Sequence, residues 1–241
     1  MKKTKQIRAT GVALRRVFTV MVAFLLVIGF NACSNGGGGG GPAGGPGVPS
    51  TGTGDNGGKY TNPKTGEDYK VGETGPGGGK IFYDSVEETG DYFTMTDNND
   101  EVRYLEASLG VVSSGYRWAS QELIGNGAVD DPNHFVNTGM AIGTGRKNTA
   151  LIIAKDPNAT AAKLCDDYKG GGLTDWFLPS EGELIILLKN ITTDNGLYWS
   201  SSQTTNYNNA ARMGVVSDAG YNGPADNNKS NELNVFAIRA F

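Results

Sequence analysis

Hydrophobic and polar positions divide the 241-residue chain into a short apolar run, a long stretch with almost nothing to bury, and a body in which apolar residues recur with strand or helix spacing. The body opens on a strand, Lys80-Ile81-Phe82-Tyr83, and continues with strands over Tyr92 to Thr96 and Val102 to Ala107, joined by an acidic turn. Asn148 to Lys155 reads as a short helix capped by Asn148. Asp156-Pro157 breaks it from a second helix, Asn158 to Tyr168, where Ala161, Leu164, Cys165 and Tyr168 share one apolar face at i, i+3, i+4 and i+7.

The stretch that organises the rest is Gly170 to Leu184. Its glycines allow the backbone to reverse. Trp176, Phe177 and Leu178 form a buried extended run, and Pro179 ends it. Ser180 and Glu183 have the S-x-x-E spacing of a capping box, so a helix starts there. Its body, Leu184 to Leu188, is apolar nearly all round and is expected deep inside the domain. Tyr198 to Ser202, Ala210 to Ser217 and Leu233 to Phe241 then predict three strands of an antiparallel meander.

The first 32 residues read as an address. Lys2, Lys3, Lys5, Arg8, Arg15 and Arg16 precede an apolar run from Val17 to Phe30, too short to favour a spanning helix. The segment ends Phe30-Asn31-Ala32-Cys33, which resembles a lipobox with lipid attachment at Cys33. Phe30 and Asn31 differ from its strict form, and cleavage at another small-residue site is the alternative. Residues 33–68 form a Gly-, Pro-, Ser- and Thr-rich disordered tether, whose flexible part has an r.m.s. span of roughly 30 Å. Residues 69–241 are long enough for one domain with one core. Losing the six leader cations leaves 15 of the 21 Lys and Arg against 25 Asp and Glu. That acidic balance disfavours nucleic acid as a partner, so none is expected, because phosphate contacts need clustered cations.

Gly171-Gly172-x-x-Asp175-Trp176-x-Leu178-Pro179-Ser180-x-x-Glu183-Leu184, followed by Tyr198-Trp199-Ser200-Ser201 and closing on Ile238-Arg239-Ala240-Phe241, resembles the C-terminal domain of the Legionella collagen-like adhesin. Val71 to Tyr83, Arg103 to Ala107 and Ile142 to Thr149 extend the likeness, so it covers the chain from about Val71 onward. The resemblance implies an α+β, C-type-lectin-like fold, with two or three short helices packed on antiparallel sheet. It makes Asp175, Trp176, Leu178, Pro179, Ser180, Glu183, Trp199 and Arg239 a structural signature. Ala161 to Leu184 also resembles a segment of formylglycine-generating enzymes, but their oxidation chemistry uses cysteines nearer the C-terminus, and none follows Cys165.

Candidate chemistry is sparse. If Cys33 carries lipid, Cys165 stands alone on an apolar helix face and reads as core filler. With His134 the sole histidine and Cys165 on an apolar face, neither a Ser-His-Asp arrangement nor a Cys and His zinc set is expected. Gly75 to Lys80 has G-x-x-x-G-K spacing, one residue short of a phosphate loop. Asp97-Asn98-Asn99-Asp100-Glu101 offers oxygens for structural calcium but lacks the spaced ligand order of a calcium loop, so no cofactor or metal is indicated. Asp131-Pro132-Asn133 and Asp156-Pro157-Asn158 are similar to the Glu-Pro-Asn motif of lectins without its Trp-Asn-Asp partner, and read as turns.

Binding is therefore the leading expectation: a lipid-anchored module of the cell envelope, at the outer membrane or cell surface, that recognises an extracellular glycan or host protein. The candidate ligand residues are Asn206, Tyr207, Asn208, Asn209, Tyr221, Asn222 and Asn227, read as loops of the final sheet. The basic pair Arg146 and Lys147 is the candidate for an anionic sugar. The alternatives are a structural envelope lipoprotein without soluble ligand, and a formylglycine-enzyme-like catalyst. Nothing in the chain sets an oligomeric state, because its glycines lack the period of a collagen stem.

Overall fold

The computed structural model describes residues 60–125, 132–191 and 194–241; the leader, Cys33, the tether through residue 59, residues 126–131 (Asp131 among them) and residues 192–193 lie outside the described residues. In chain order the elements are β1 (Lys80–Asp84), α1 (Ser85–Thr89), β2 (Phe93–Thr94), β3 (Glu101–Val102), β4 (Tyr104–Ala107), β5 (Ser113–Tyr116), α2 (Gly145–Lys155) and α3 (Thr160–Asp166). A 3-10 turn, Gly170–Gly172, precedes α4 (Glu181–Asn190), β6 (Gly196–Gln203), β7 (Ala210–Ser217), β8 (Gly220–Asn228), β9 (Leu233–Val235) and β10 (Ile238–Ala240). This is an α+β protein. One sheet has strand order β1-β4-β10, a second β5-β9-β6-β7-β8, and β2 and β3 form a small ribbon.

The predicted C-terminal meander is replaced by a different topology. Leu233 to Phe241 divides at Phe236 and Ala237: β9 stays in the five-stranded sheet, parallel to β6 through Tyr198 and Asn234, while β10 crosses to pair with β4. β6 and β7 pair antiparallel as expected, but the strand on the other side of β7 is β8, in a segment that reads as loop by composition. Gly, Asn, Asp and Pro are poor strand formers, but β8 is the edge of its sheet. There Pro224 withholds no N–H from a further strand, and alternating half-burial suffices.

Other boundaries shift for identifiable reasons. Val102 to Ala107 breaks at Arg103, because Arg103 and Tyr104 both donate their N–H to Phe241 O while the side chain of Arg103 pairs with Asp84. The strand expected over Tyr92 to Thr96 keeps only Phe93 and Thr94. Helix α2 begins at Gly145, three residues early. Asn148 does not cap it; its carboxamide accepts from Gly139 N–H at 2.8 Å and donates to Gly139 O at 2.7 Å. Tyr60 and Asp68, assigned to the tether by composition, contact the body: Tyr60 O–H donates to Glu101 O, and Arg103 pairs with Asp68.

Two apolar cores share the Trp176 to Leu178 crossing. Trp118, Trp176, Leu178, Trp199 and Val235 lie in one, and Phe82, Leu105, Phe177, Leu187 and Ile238 in the other. Helix α4 is less deeply sunk than expected. Leu184, Leu187 and Leu188 are buried, whereas Ile185 and Ile186 are half-exposed. The buried side lies so close to β7 that a Cβ on Gly214 would stand 2.3 Å from Leu188 Cδ1 and push that side chain aside.

Candidate functional site

The signature residues converge on scaffold tasks. Arg239, on β10, pairs with Asp175 through Nε and Nη2 and reaches the buried Glu106 on β4 through Nη1 at 3.2 Å. Glu106 in turn accepts from Gly77 N–H at 3.0 Å and Gly79 N–H at 2.7 Å. The glycine-rich loop therefore cradles an anion, but the anion is the protein's own carboxylate. Trp176 lies against that loop, and Gly171, at φ +61°, meets Gly77 so closely that a Cβ would stand 2.7 Å from its backbone. Both halves of the Ser180 and Glu183 capping box form. The same Glu183 carboxylate accepts from Gly143 N–H at 2.8 Å, and so ties the start of α4 to the turn that opens α2. Burial pushes its carboxyl up to about 7 against the pull of those N–H bonds. Leu178 N–H donates to Thr149, Pro179 O accepts from Ser201 N–H, and Trp199 Nε1 donates to Tyr116 O.

The candidate ligand residues do not form one patch. Asn206, Tyr207, Asn208 and Asn209 sit between β6 and β7, with Asn227 beside them on β8. Tyr207 is 52% exposed, and Asn208 is buried. Tyr221 and Asn222 lie in β8 rather than in a loop, at the other end of the β7 and β8 hairpin, about 23 Å away by strand rise. Asn227 is committed to structure: it donates to Met213 Sδ and accepts from Asn231 Nδ2.

At the Tyr221 end the fold leaves a cleft of about 570 Å³ between the C-terminal end of α4 and the hairpin. Leu188, Ile191 and Val216 supply apolar wall together with the ring of Tyr221, and Lys189, Asn195, Ser217 and Asp218 supply polar groups. The ammonium of Lys189 stands 5.9 Å from the centroid of the Tyr221 ring. Asn195 Nδ2 donates to Asp218 Oδ1, and Asn222 Nδ2 to Ser217 Oγ. The Tyr221 hydroxyl is buried with no hydrogen-bond partner among the described residues. Burial first, then the charge of Glu181, pushes it up to about 12, so the ring is neutral at any physiological pH. The pattern of exposed β8 residues was too polar to reveal this cleft from sequence; only the pairing with β7 brings Tyr221 under α4.

The remaining sequence candidates are accounted for by their surroundings. Arg146 is not in a loop but in the first turn of α2, where it pairs with Asp97 and donates to Asn98 Oδ1. That contact uses both the cation proposed for anionic sugar and a carboxylate considered for calcium. Lys147 is exposed, beside a small pocket of about 290 Å³ with Thr96, Asn137 and Thr144. Cys165 is fully buried, and its thiol donates to Phe236 O; burial pushes the thiol well up. Asp156 accepts from Ser120 and Asn158 N–H, the turn role expected of it.

Sequence reasoning passed over Lys229. It is buried, with Nζ donating to His134 O at 2.8 Å, Gln203 Oε1 at 3.0 Å and Leu123 O at 3.4 Å, and standing 4.9 Å from the Trp118 ring centroid. Burial pulls it down to about 7, opposed by the charge of Asp156. No spacing rule marks such a lysine, because its acceptors, two backbone carbonyls and the Gln203 carboxamide, come from distant segments.

Among the described residues no helix is long and apolar enough to cross a membrane. The chain matches no protein-family model and no curated protein. Among solved structures it is similar to a fimbrial protein from Bacteroides ovatus, with a TM-score of 0.48 and 15% sequence identity over 73% of this chain and 49% of that one. The chain thus spans about half the length of that relative.

Proposed function

We propose that this chain is a non-catalytic binding module, lipid-anchored to the cell envelope through Cys33, whose C-type-lectin-like domain holds an extracellular glycan in the cleft between α4 and the β7 and β8 hairpin. The observation that carries the reading is the composition of that cleft. An aromatic ring offers an apolar face to sugar C–H groups, while amide, hydroxyl, carboxylate and ammonium groups around it match sugar hydroxyls. A host-protein ligand fits less well, because the cleft is small and broken by polar groups, where a protein interface has an apolar centre.

A binding role also agrees with the placement of reactive groups. The Cys165 thiol is sealed in the core, and the signature carboxylates Asp175 and Glu183 are spent on Arg239 and on helix N-termini. The test is a glycan microarray probed with the full chain and with an Asn195→Ala, Asp218→Ala double variant, whose substitutions lie on the exposed rim. Binding by the wild type that falls at least about tenfold in the variant supports the cleft. Glycan binding of equal strength in both places the ligand elsewhere, and no glycan binding removes the reading.

A further inference from the structure

Resting on that cleft reading, we infer that the glycan is electrically neutral, a pyranose that lies over Tyr221 with hydroxyls bridging Asp218, Asn195 and Lys189. Two charged side chains line the cleft, Lys189 and Asp218, and neither has an ion-pair partner among the described residues. Their charges are opposite, so the lining carries no net charge. A sugar carboxylate or sulfate drawn to Lys189 would also face Asp218.

The surroundings add to the bias against an anion. The wall formed by Leu188 to Ile191 is the C-terminal end of α4, where the exposed carbonyl ends carry partial negative charge. Of the pair Arg146 and Lys147 considered for anionic sugar, which lies outside this cleft, Arg146 is neutralised at 2.7 Å by Asp97. A neutral sugar meets none of these penalties. Its hydroxyls accept from Lys189 and Asn195 and donate to Asp218, taking over the bond that Asn195 Nδ2 now makes to Asp218. The ring face of Tyr221 supplies the apolar contact, with the Lys189 chain swinging from its position 5.9 Å above it.

The experiment is calorimetric titration of the full chain with neutral hexose oligosaccharides and with uronic-acid oligosaccharides of the same length, each at low and high salt. Neutral sugar is expected to bind with less than about a twofold change between the two salts, because an uncharged ligand leaves no ion pair to screen. Lys189→Gln and Asp218→Asn are each expected to weaken it by about three- to tenfold, the loss of one hydrogen bond. The two ligand classes give opposite signs at Asp218. For an acidic sugar, Asp218→Asn removes a repulsion and strengthens binding, while Lys189→Gln abolishes it. Preference for uronic acids, weakened by salt and improved by Asp218→Asn, overturns neutrality while leaving the cleft in place. Failure of both classes to bind overturns the cleft reading as well.

Discussion

Arg239 and Asp175 stand 64 residues apart and face each other through two parallel hydrogen bonds, Nε to Oδ1 at 2.9 Å and Nη2 to Oδ2 at 2.8 Å. The pair fastens β10 to the turn before the Trp176 crossing. The third guanidinium nitrogen, Nη1, reaches the fully buried Glu106, so the two carboxylates depend on Arg239 unequally. Removing Arg239 leaves Glu106 buried with only its two glycine N–H donors, whereas Asp175 remains part-exposed to water. Arg239→Met is therefore expected to cost about 3–5 kcal/mol and Asp175→Asn about 1 kcal/mol, read from urea denaturation midpoints. Equal losses in the two variants would show that the weight of the network lies at the exposed pair.

Glu183 makes stability depend on pH. Its folded carboxyl is raised to about 7 from an ordinary 4.5, so the native state holds the proton that the unfolded chain has released. Its contribution is complete below about 4.5 and is lost as pH rises toward 7, by at most about 1.4 kcal/mol per unit. Comparing wild type with Glu183→Gln isolates it from the other carboxylates. The stability difference should move against the wild type across that window, and a flat difference would show that the N–H bonds from Ser180 and Gly143 hold the carboxylate ionised.

Lys229 acts in a different window. Its folded ammonium is lowered to about 7 from 10.5, so between those values the unfolded chain binds the proton and the native state does not. Stability should rise as pH climbs from about 7 to 10.5 and fall on return through the folded value, again by at most about 1.4 kcal/mol per unit. In Lys229→Met the rise disappears, as chemical denaturation across that range would report. A rise that persists unchanged in Lys229→Met would assign it to other groups.

Cys165 should be inert in the folded protein. Its thiol is buried, donates to Phe236 O and is pushed well above the ordinary range, and the thiolate is the reactive form. Ellman's reagent is expected to modify it only under denaturing conditions. Modification at native rates close to those of a free thiol would mean that the wall between α3 and β9 opens readily.

Much of the scaffold was legible because each signal was local. The glycines at 170–172, the proline stop and the Ser180 and Glu183 spacing each dictate geometry within a few residues, and all three formed. The face of α3 placed Cys165 in the core as its spacing required. Strand partners were not legible. Nothing within β9 states that it runs parallel to β6, and β8 owes its strand conformation to β7 rather than to its own Gly, Asn and Pro. The candidate site suffered for the same reason. Asparagines between Gln203 and Asn234 look like one cluster along the chain, but an eight-residue strand separates Tyr207 from Tyr221. Arg146 looked free because its partner Asp97 lies 49 residues away.

The central claim is one of place, and hydrogen–deuterium exchange of the full chain with and without a bound oligosaccharide tests it most directly. Ligand should slow exchange in Leu188 to Ile191 and Val216 to Tyr221, the two walls of the cleft, and leave Thr204 to Asn209 and Gly145 to Thr149 unchanged. Protection confined to Thr204 to Asn209, or to the start of α2 beside Lys147, would contradict it.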